Sequence, residues 1–334
     1  MVRGECRVLV TGAAGGRVGG VGRLVAECLL RRSCESSSSS SSLAVEQSPG
    51  QSQVLTVRAF VREDDARAAE LRSLGAEVFV GDLTSASDVS RALAGCQRAY
   101  FGMSVSPQYL EATAVFAAVC KALDPPLDLL VNMSQLSVSS ISLGQTTGSP
   151  QHQQHWLAEH VLDWAGLPVV HVRPTVFLEN PLFCAFAAAA LVRSPGHLAL
   201  PFGPAVRSSP IAARDVAAAV VALITTDTPA DVVAHHVYEL TGAESQDMAT
   251  IAHEYAEGLG RPVQLRTVGY DEWYRDCILA NQIEPHLAGH LTTMVTMHNN
   301  GEYDRHTDEL EKLLGRKPTT VAQFVAQRRA LFLL

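Results

Sequence analysis

Residues Cys6–Leu30 read CRVLVTGAAGGRVGGVGRLVAECLL, and this stretch decides the fold. A short apolar strand, Val8–Thr11, runs into glycines at 12, 15, 16, 19, 20 and 22, and an apolar helical stretch, Val21–Leu30, follows at once. Strand, glycine turn and helix in immediate succession form an anion cradle. Glycine permits the tight turn and lets the backbone approach a pyrophosphate. The helix N-terminus then offers unpaired N–H groups and a partial positive charge. The spacing predicts a loop of the form Gly12-x-x-Gly15-x-x-x-Gly19, one residue longer than usual, with Gly16 as the extra residue. The TGxxxGxG form fails, because Val18 stands at its last glycine position.

The rest of the chain supports one large α/β unit. It has 334 residues, 47% of them hydrophobic and 18% charged, so a sizeable core is available. A net charge of −8, with no cluster of Lys and Arg, argues against nucleic acid as a partner. The seven cysteines include no C-x-x-C pair and read as thiols of a reducing, cytoplasmic compartment. The first strand starts within a few residues of Met1, so no signal peptide is expected. Apolar runs are interrupted before about 18 residues, so no membrane span is expected either.

Residues 34–53, CESSSSSSSLAVEQSPGQSQ, break the pattern. They carry too little apolar area to offset ordering entropy and are expected to form a mobile surface insert, with a phosphorylated segment as the alternative. Beyond them strands and helices alternate: VLTVRAFV, then a helix in DDARAAELRSLG; AEVFVGD, then SASDVSRALAG; RAYFGMS, then YLEATAVFAAVCKAL; LDLLVNMS, then a helix in PQHQQHWLAEHVLDWAG; and PVVHVRP. That rhythm predicts a Rossmann-type, doubly wound parallel sheet. After Pro174 it loosens into helices, including a long one over Tyr270–His298 and one in TVAQFVAQRRALF, with short strands in VYELTG and VQLRTV. The expected organisation is a dinucleotide-binding domain over 1–180 and a smaller C-terminal α+β lobe over 181–334, partly interleaved with it and closing the substrate side of the cleft.

These pieces resemble the NmrA-like branch of atypical short-chain dehydrogenases over nearly the whole chain outside 34–53. The matching blocks are VTGAAG, RAFVRE, GAEVFVGDL, VNMSQ, QHWLAEHVLDWAGLPVVHVRPTVFLEN, SPIAARDVAAAV and YELTG, of which the fifth is the most specific. The resemblance implies a Rossmann domain that binds NADP(H) in preference to NAD(H). It implies either a reductase of quinones or small carbonyl compounds, or a redox-sensing regulator that acts through a protein partner.

Carried over residue by residue, the resemblance places the cofactor on Gly12, Ala13, Gly15, Gly16, Arg17, Val18 and Gly19. Arg62 follows the second strand, where an acid would bind the ribose of NAD. By resemblance its guanidinium meets the 2′-phosphate of NADP, although Glu63, Asp64 and Asp65 follow closely. Asp82 and Leu83 are placed beside the adenine, with a helix-capping role for Asp82 as the alternative. Phe101, Gly102 and Met103 end the fourth strand, where open sheets bind ligands, and the Phe101 ring is expected in the core. Asn132, Met133 and Ser134 end the fifth strand, Ser134 near the position of a catalytic serine or simply in a turn.

The Tyr-x-x-x-Lys pair of active relatives is replaced. By resemblance His155 takes the Lys position and Gln151 the Tyr position, with His152 one helical turn before His155. His152 and His155 are therefore candidate catalytic groups, His155 either binding the nicotinamide ribose of the cofactor or donating a proton, with turnover expected to fall above neutral pH if the charged form is needed. The alternative is a helix-surface role. No metal is expected, since the pair lacks further ligands. Pro174 begins PTVFLEN, which by resemblance borders the nicotinamide. Trp156, Phe177 and Phe202 are candidate apolar walls or core. His286 and His290 read as surface or packing residues.

Overall fold

The computed structural model describes residues 5–15, 20–38, 54–144, 148–226 and 234–333. Its strands, in chain order, are β1 Glu5–Val10, β2 Val54–Val61, β3 Glu77–Val80, β4 Arg98–Phe101, β5 Leu129–Met133, β6 Val169–Pro174, β7 His197–Leu200, β8 Arg207–Ser208, β9 Val237–Leu240, β10 Gln246–Asp247 and β11 Gln264–Thr267. Seven of them form one sheet in the order β3-β2-β1-β4-β5-β6-β9, and every pairing in it is parallel. The crossovers are α1 Val21–Ser38, α2 Ala66–Ser73, α3 Ala86–Leu93, α4 Tyr109–Lys121 and α5 Pro150–Trp164. The fold is the expected doubly wound α/β sheet. Its order reverses between β1 and β4, where a crevice opens at the carboxyl ends of the strands.

The sheet is sandwiched between two apolar layers. One contains Val8, Val10, Val25, Leu29, Val57 and Val131. The other contains Leu9, Phe60, Phe101, Phe116, Leu130 and Leu162. Consecutive residues of β1 thus feed opposite layers, as the two-residue period of a strand requires. A third core, with Phe183, Phe202, Tyr255, Trp273, Met294 and Phe324, fills the C-terminal lobe. Helix α6 spans Ala185–Arg193 and helix α7 Ala213–Ile224. Residues Val216, Val220 and Leu240 of α7 and β9 pack into the first layer, so the chain leaves the sheet after β6 and returns to it.

Local chemistry shifts several element ends. Helix α1 continues past Leu30 to Ser38, taking in the first serines of the run, while 39–53 lie outside the described residues. The long helix expected over Tyr270–His298 is broken. A short helix, Tyr270–Trp273, leads into a π-turn over Tyr274–Leu279, Gln282 adopts φ +50, and a new helix, Pro285–Asn299, starts on Pro285. Proline at the first helical position lacks the N–H that would be orphaned there, and the Glu284 carboxylate caps the N–H groups of His286 and Leu287. The expected C-terminal helix is likewise divided, into Val321–Gln327 and Arg329–Leu333.

Candidate functional site: a cofactor cleft at the switch point

The glycine turn bends because two of its glycines take a left-handed conformation, Gly12 at φ +63 and Gly15 at φ +64. A Cβ on Gly12 would lie 2.6 Å from the Gly102 carbonyl oxygen, so β1 and β4 meet here without room for a side chain. Thr11 locks that meeting: its hydroxyl donates to the Gly102 carbonyl at 2.8 Å and accepts the Gly102 N–H at 2.9 Å.

The glycine that lets the helix pack on the strand is Gly22. A Cβ there would stand 2.4 Å from the Thr11 carbonyl oxygen, and one on Gly15 would stand 3.2 Å from the Gly20 nitrogen. Gly15 and Gly20 are therefore spatial neighbours. The motif reads Gly12-x-x-Gly15, then residues 16–19, then Gly20-Val21-Gly22. Removing four residues restores the usual Gly-x-x-Gly-x-x-Gly. The expected register ends on Gly19, outside the described residues; among the described residues it is Gly22 that packs the helix on the strand. Gly16, Arg17, Val18 and Gly19 lie outside the described residues. Ala13 is fully buried, whereas Ala14 reaches the cleft wall.

At one end of the cleft a cavity of about 400 Å³ is lined by Gly15, Arg62, Arg67, Asp82, Leu83 and Met103, among others. Arg62 is exposed, and its charge contributes to lowering the Asp82 carboxyl. Arg67, not anticipated from sequence, donates to the Gly15 carbonyl at 3.1 Å and pairs with Asp65 at 2.6 Å. It sits in the first turn of α2, and only the folding of that turn against the glycine loop brings it to the cavity. Asp82 accepts both the N–H and the hydroxyl of Thr84, each at 2.9 Å, which holds its carboxyl below the usual range. The cap of α3 is Ser85, so Asp82 shapes the turn before the helix while lining the cavity. The Phe101 ring is fully buried, 4.8 Å from that of Phe116.

At the other end a cavity of about 270 Å³ is walled by Gly12, Gly20, Gly22, Gly102, Met133 and Phe177, with Glu179 and Asn180. Phe177 is thus a wall residue. Phe202 is core, stacked on Phe183, and Trp156 lines a different cavity. Pro174 is buried at the end of β6 and stands outside these walls. Glu179 accepts the Ala213 N–H and an Arg328 N–H, both at 3.0 Å, and burial raises its carboxyl above the usual range. The signal for it was the LEN end of PTVFLEN, but no side-chain chemistry in that segment distinguished Glu179 from a surface acid.

The three expected catalytic groups are buried and line neither cavity. Ser134 is buried, and its hydroxyl has no hydrogen-bond partner among the described residues. His155 is buried against Tyr109, ring centroids 4.1 Å apart, and the Tyr109 hydroxyl donates to the Met133 carbonyl at 2.9 Å. Burial, with His290 nearby, pushes His155 down to about 3. Burial also drives His152 well below its usual value and His290 down to about 4. These imidazoles are neutral at physiological pH, which corrects the expectation of a charged proton donor.

The Pro285–Asn299 helix, which carries His290, packs on α5 beside His152. His290 Nδ1 lies 3.0 Å from the Ser149 hydroxyl, and the His290 ring meets His152 edge-on at 4.8 Å. His286 donates to the Gln151 side-chain oxygen at 2.8 Å, and the Ser106 N–H donates to the same oxygen at 3.1 Å. His286 and His290 are therefore partners of α5, the former half-buried and the latter fully enclosed. Asn132 turns away toward β6, its amide 2.9 Å from His171 Nδ1, and His171 Nε2 lies 3.1 Å from Asp163. Among the described residues no group of three or more His, Cys, Asp or Glu is placed to hold a metal, and no helix is long and apolar enough to cross a membrane.

A family model described as the NmrA-like family matches residues 44–325. No curated protein matches the chain. Among solved structures, the NADPH-dependent quinone oxidoreductase QOR2 of Escherichia coli, complexed with NADPH, is 20% identical with a TM-score of 0.73, over 96% of this chain and 99% of that one. The triphenylmethane reductase of Citrobacter sp., complexed with NADP(H), is 18% identical with a TM-score of 0.73, over 96% and 99%. NmrA, a negative transcriptional regulator, in complex with NAD, is 16% identical with a TM-score of 0.73, over 97% and 95%. At these identities the likeness concerns the fold, while the family model covers most of the chain. The chain belongs to the NmrA-like family.

Proposed function

We propose that the cleft binds NADP(H), with NAD(H) as the weaker second cofactor, and that the protein is a reductase of a quinone or small carbonyl compound. The observation that carries the cofactor reading is the pairing of a side-chain-free glycine cradle with two arginines, Arg62 and Arg67, at one end of the same cleft. A guanidinium fork matches a phosphate, so these two select a 2′-phosphate over a plain ribose hydroxyl. Glycines 12, 15 and 22 would admit the pyrophosphate to the N-terminus of α1, and Met133 and Phe177 would flank the nicotinamide.

A nicotinamide cofactor supplies a hydride. This chain's residues would bind it, orient it and exclude water, and no charged acid on α5 would protonate the acceptor. The reading therefore favours electron-poor acceptors, whose reduction starts with hydride alone and takes its proton from solvent. The free thiols of Cys6, Cys28, Cys96, Cys120, Cys184 and Cys277 support a cytoplasmic setting.

A second reading is a cofactor-sensing regulator that acts through a protein partner. The observation favouring it is the burial of Gln151 and His155, the positions where the resemblance sets the Tyr–Lys pair, with the Gln151 side chain held by His286 of the Pro285–Asn299 helix. Calorimetric titration of NADPH and NADH, run beside NADPH consumption against quinones and aldehydes, decides between the readings. Tighter NADPH binding with turnover supports the reductase. Tight binding with no turnover supports the regulator. Equal affinity for both cofactors refutes the role given to the arginines.

A further inference from the structure

We propose that a cavity in the C-terminal lobe, between the Tyr270–Leu279 turns and the Pro285–Asn299 helix, is a binding site for a neutral, planar aromatic molecule. The cavity measures about 500 Å³, and its wall shares no residue with the two cavities of the cofactor cleft. The inference stands independently of the cofactor assignment.

Three observations converge on it. The first is the chemistry of the wall. Tyr270, Tyr274, Ile278, Leu279, Ile283 and Pro285 dominate it, and none of the lining side chains is a carboxylate, ammonium, guanidinium or imidazole. A charged ligand would lose hydration there without gaining a partner, whereas a neutral apolar one gains from burial. The Tyr270 and Tyr274 rings are stacked at 5.8 Å with 23° between their planes, and a flat ring system extends such a stack favourably. Gln282 and Thr292 supply polar atoms on the same wall, enough to orient a carbonyl or hydroxyl substituent.

The second observation is Gly289. It lies inside the Pro285–Asn299 helix and lines the cavity, and a Cβ built on it meets nothing within 4 Å. Glycine in a helix interior is less stable than alanine. Here neither a positive φ nor a close backbone approach calls for it. The space beside it is open to an occupant.

The third is the backbone around the rim. The π-turn Tyr274–Leu279 interrupts the helix beside the cavity, and Gln282 is one of two non-glycine residues with positive φ among the described residues. Both are conformations that proteins retain at binding sites more than elsewhere. The rim also leaves Leu279 60% and Tyr270 46% exposed, apolar area that an occupant would cover.

The test uses the full chain and the neutral fluorophore N-phenyl-1-naphthylamine, whose emission rises on entering an apolar site. The wild type is expected to bind it saturably, with displacement by 2-methyl-1,4-naphthoquinone. Gly289→Leu fills the open space and should weaken binding at least about tenfold, the effect of a 1.4 kcal/mol change, while NADPH binding and thermal stability are retained. Tyr274→Ala, which removes half of the ring stack, should weaken it as well. Absence of saturable binding in the wild type overturns the proposal. So does equal affinity in wild type and both variants. A dimer in solution that Gly289→Leu dissociates and the fluorophore does not would assign the cavity to protein contact, and overturn it too.

Discussion

Tyr109 links His155 to a residue of the cleft wall, Met133. The imidazole lies on the phenol ring at 4.1 Å, and the phenol hydroxyl is committed to the carbonyl of Met133, one of the residues that line the cleft. His155 thus reaches the wall through Tyr109, and its chemistry is governed by burial.

The pH dependence of stability follows. His155 is pushed down to about 3, and His290 and His298 to about 4, each from an ordinary value of 6.5, chiefly by burial. In the unfolded chain they protonate near 6.5, and in the folded chain they do not until pH 3–4. Their contribution is therefore complete above pH 6.5 and is lost as pH falls toward 4. Each should add a slope of about 1.4 kcal/mol per pH unit in that window. Urea denaturation at intervals from pH 7.5 to 4.5 checks this, and a flat profile would refute the neutral, buried assignment.

Turnover with an electron-poor acceptor should show no ionisation near pH 6.5 traceable to His155. His155→Ala should lower stability by about 1–3 kcal/mol through loss of packing under Tyr109. His155→Lys should destabilise it further, because it buries an unpaired ammonium. Rates and melting temperatures of the two variants across pH check both statements. A Lys variant as stable as wild type would mean that the position opens to solvent.

Gly22→Ala forces a Cβ to within 2.4 Å of the Thr11 carbonyl oxygen, which the helix relieves only by moving away from β1. Loss of NADPH binding and of about 2–4 kcal/mol of stability is expected, as for other overpacked sites where backbone must shift. By contrast, deleting residues 16–19 joins Gly15 to its spatial neighbour Gly20 and should preserve folding and NADPH binding. Calorimetry on the two variants tests the register of the motif.

Arg67→Ala should weaken NADPH by about 1.5–3 kcal/mol, the worth of a charge-assisted contact, and leave NADH nearly unchanged. Arg62→Ala should do the same. If Arg67→Ala weakens both cofactors equally, its role is confined to holding the Gly15 carbonyl.

For the serine run, helix α1 already includes residues up to Ser38, so a clean excision starts at 39. Deleting 39–50 should leave the melting temperature and NADPH affinity unchanged, since the segment has no apolar pattern to bury. A large fall in melting temperature would show that it packs on the domain.

The sequence by itself determined the sheet and its crossovers. Alternating apolar strands and capped helices are local signals, and local periodicity survives into the fold: Val8 and Leu9 part to opposite layers as their alternation dictates. It also determined the tight turn after β1, because Gly12 and Gly15 act through their own backbone. The tertiary structure decided what depends on distant neighbours. Which glycine packs the helix was settled by the Thr11 carbonyl, and spacing alone pointed to Gly19 instead of Gly22. Arg67 reached the cleft, and Phe202 left it, through the docking of elements far apart in the chain. The burial of His155, which lowers its pKa, was decided by neighbours on other helices, Tyr109 against its ring and His290 nearby, since protonation depends on how much water remains around the ring. No spacing within PQHQQHW encodes that.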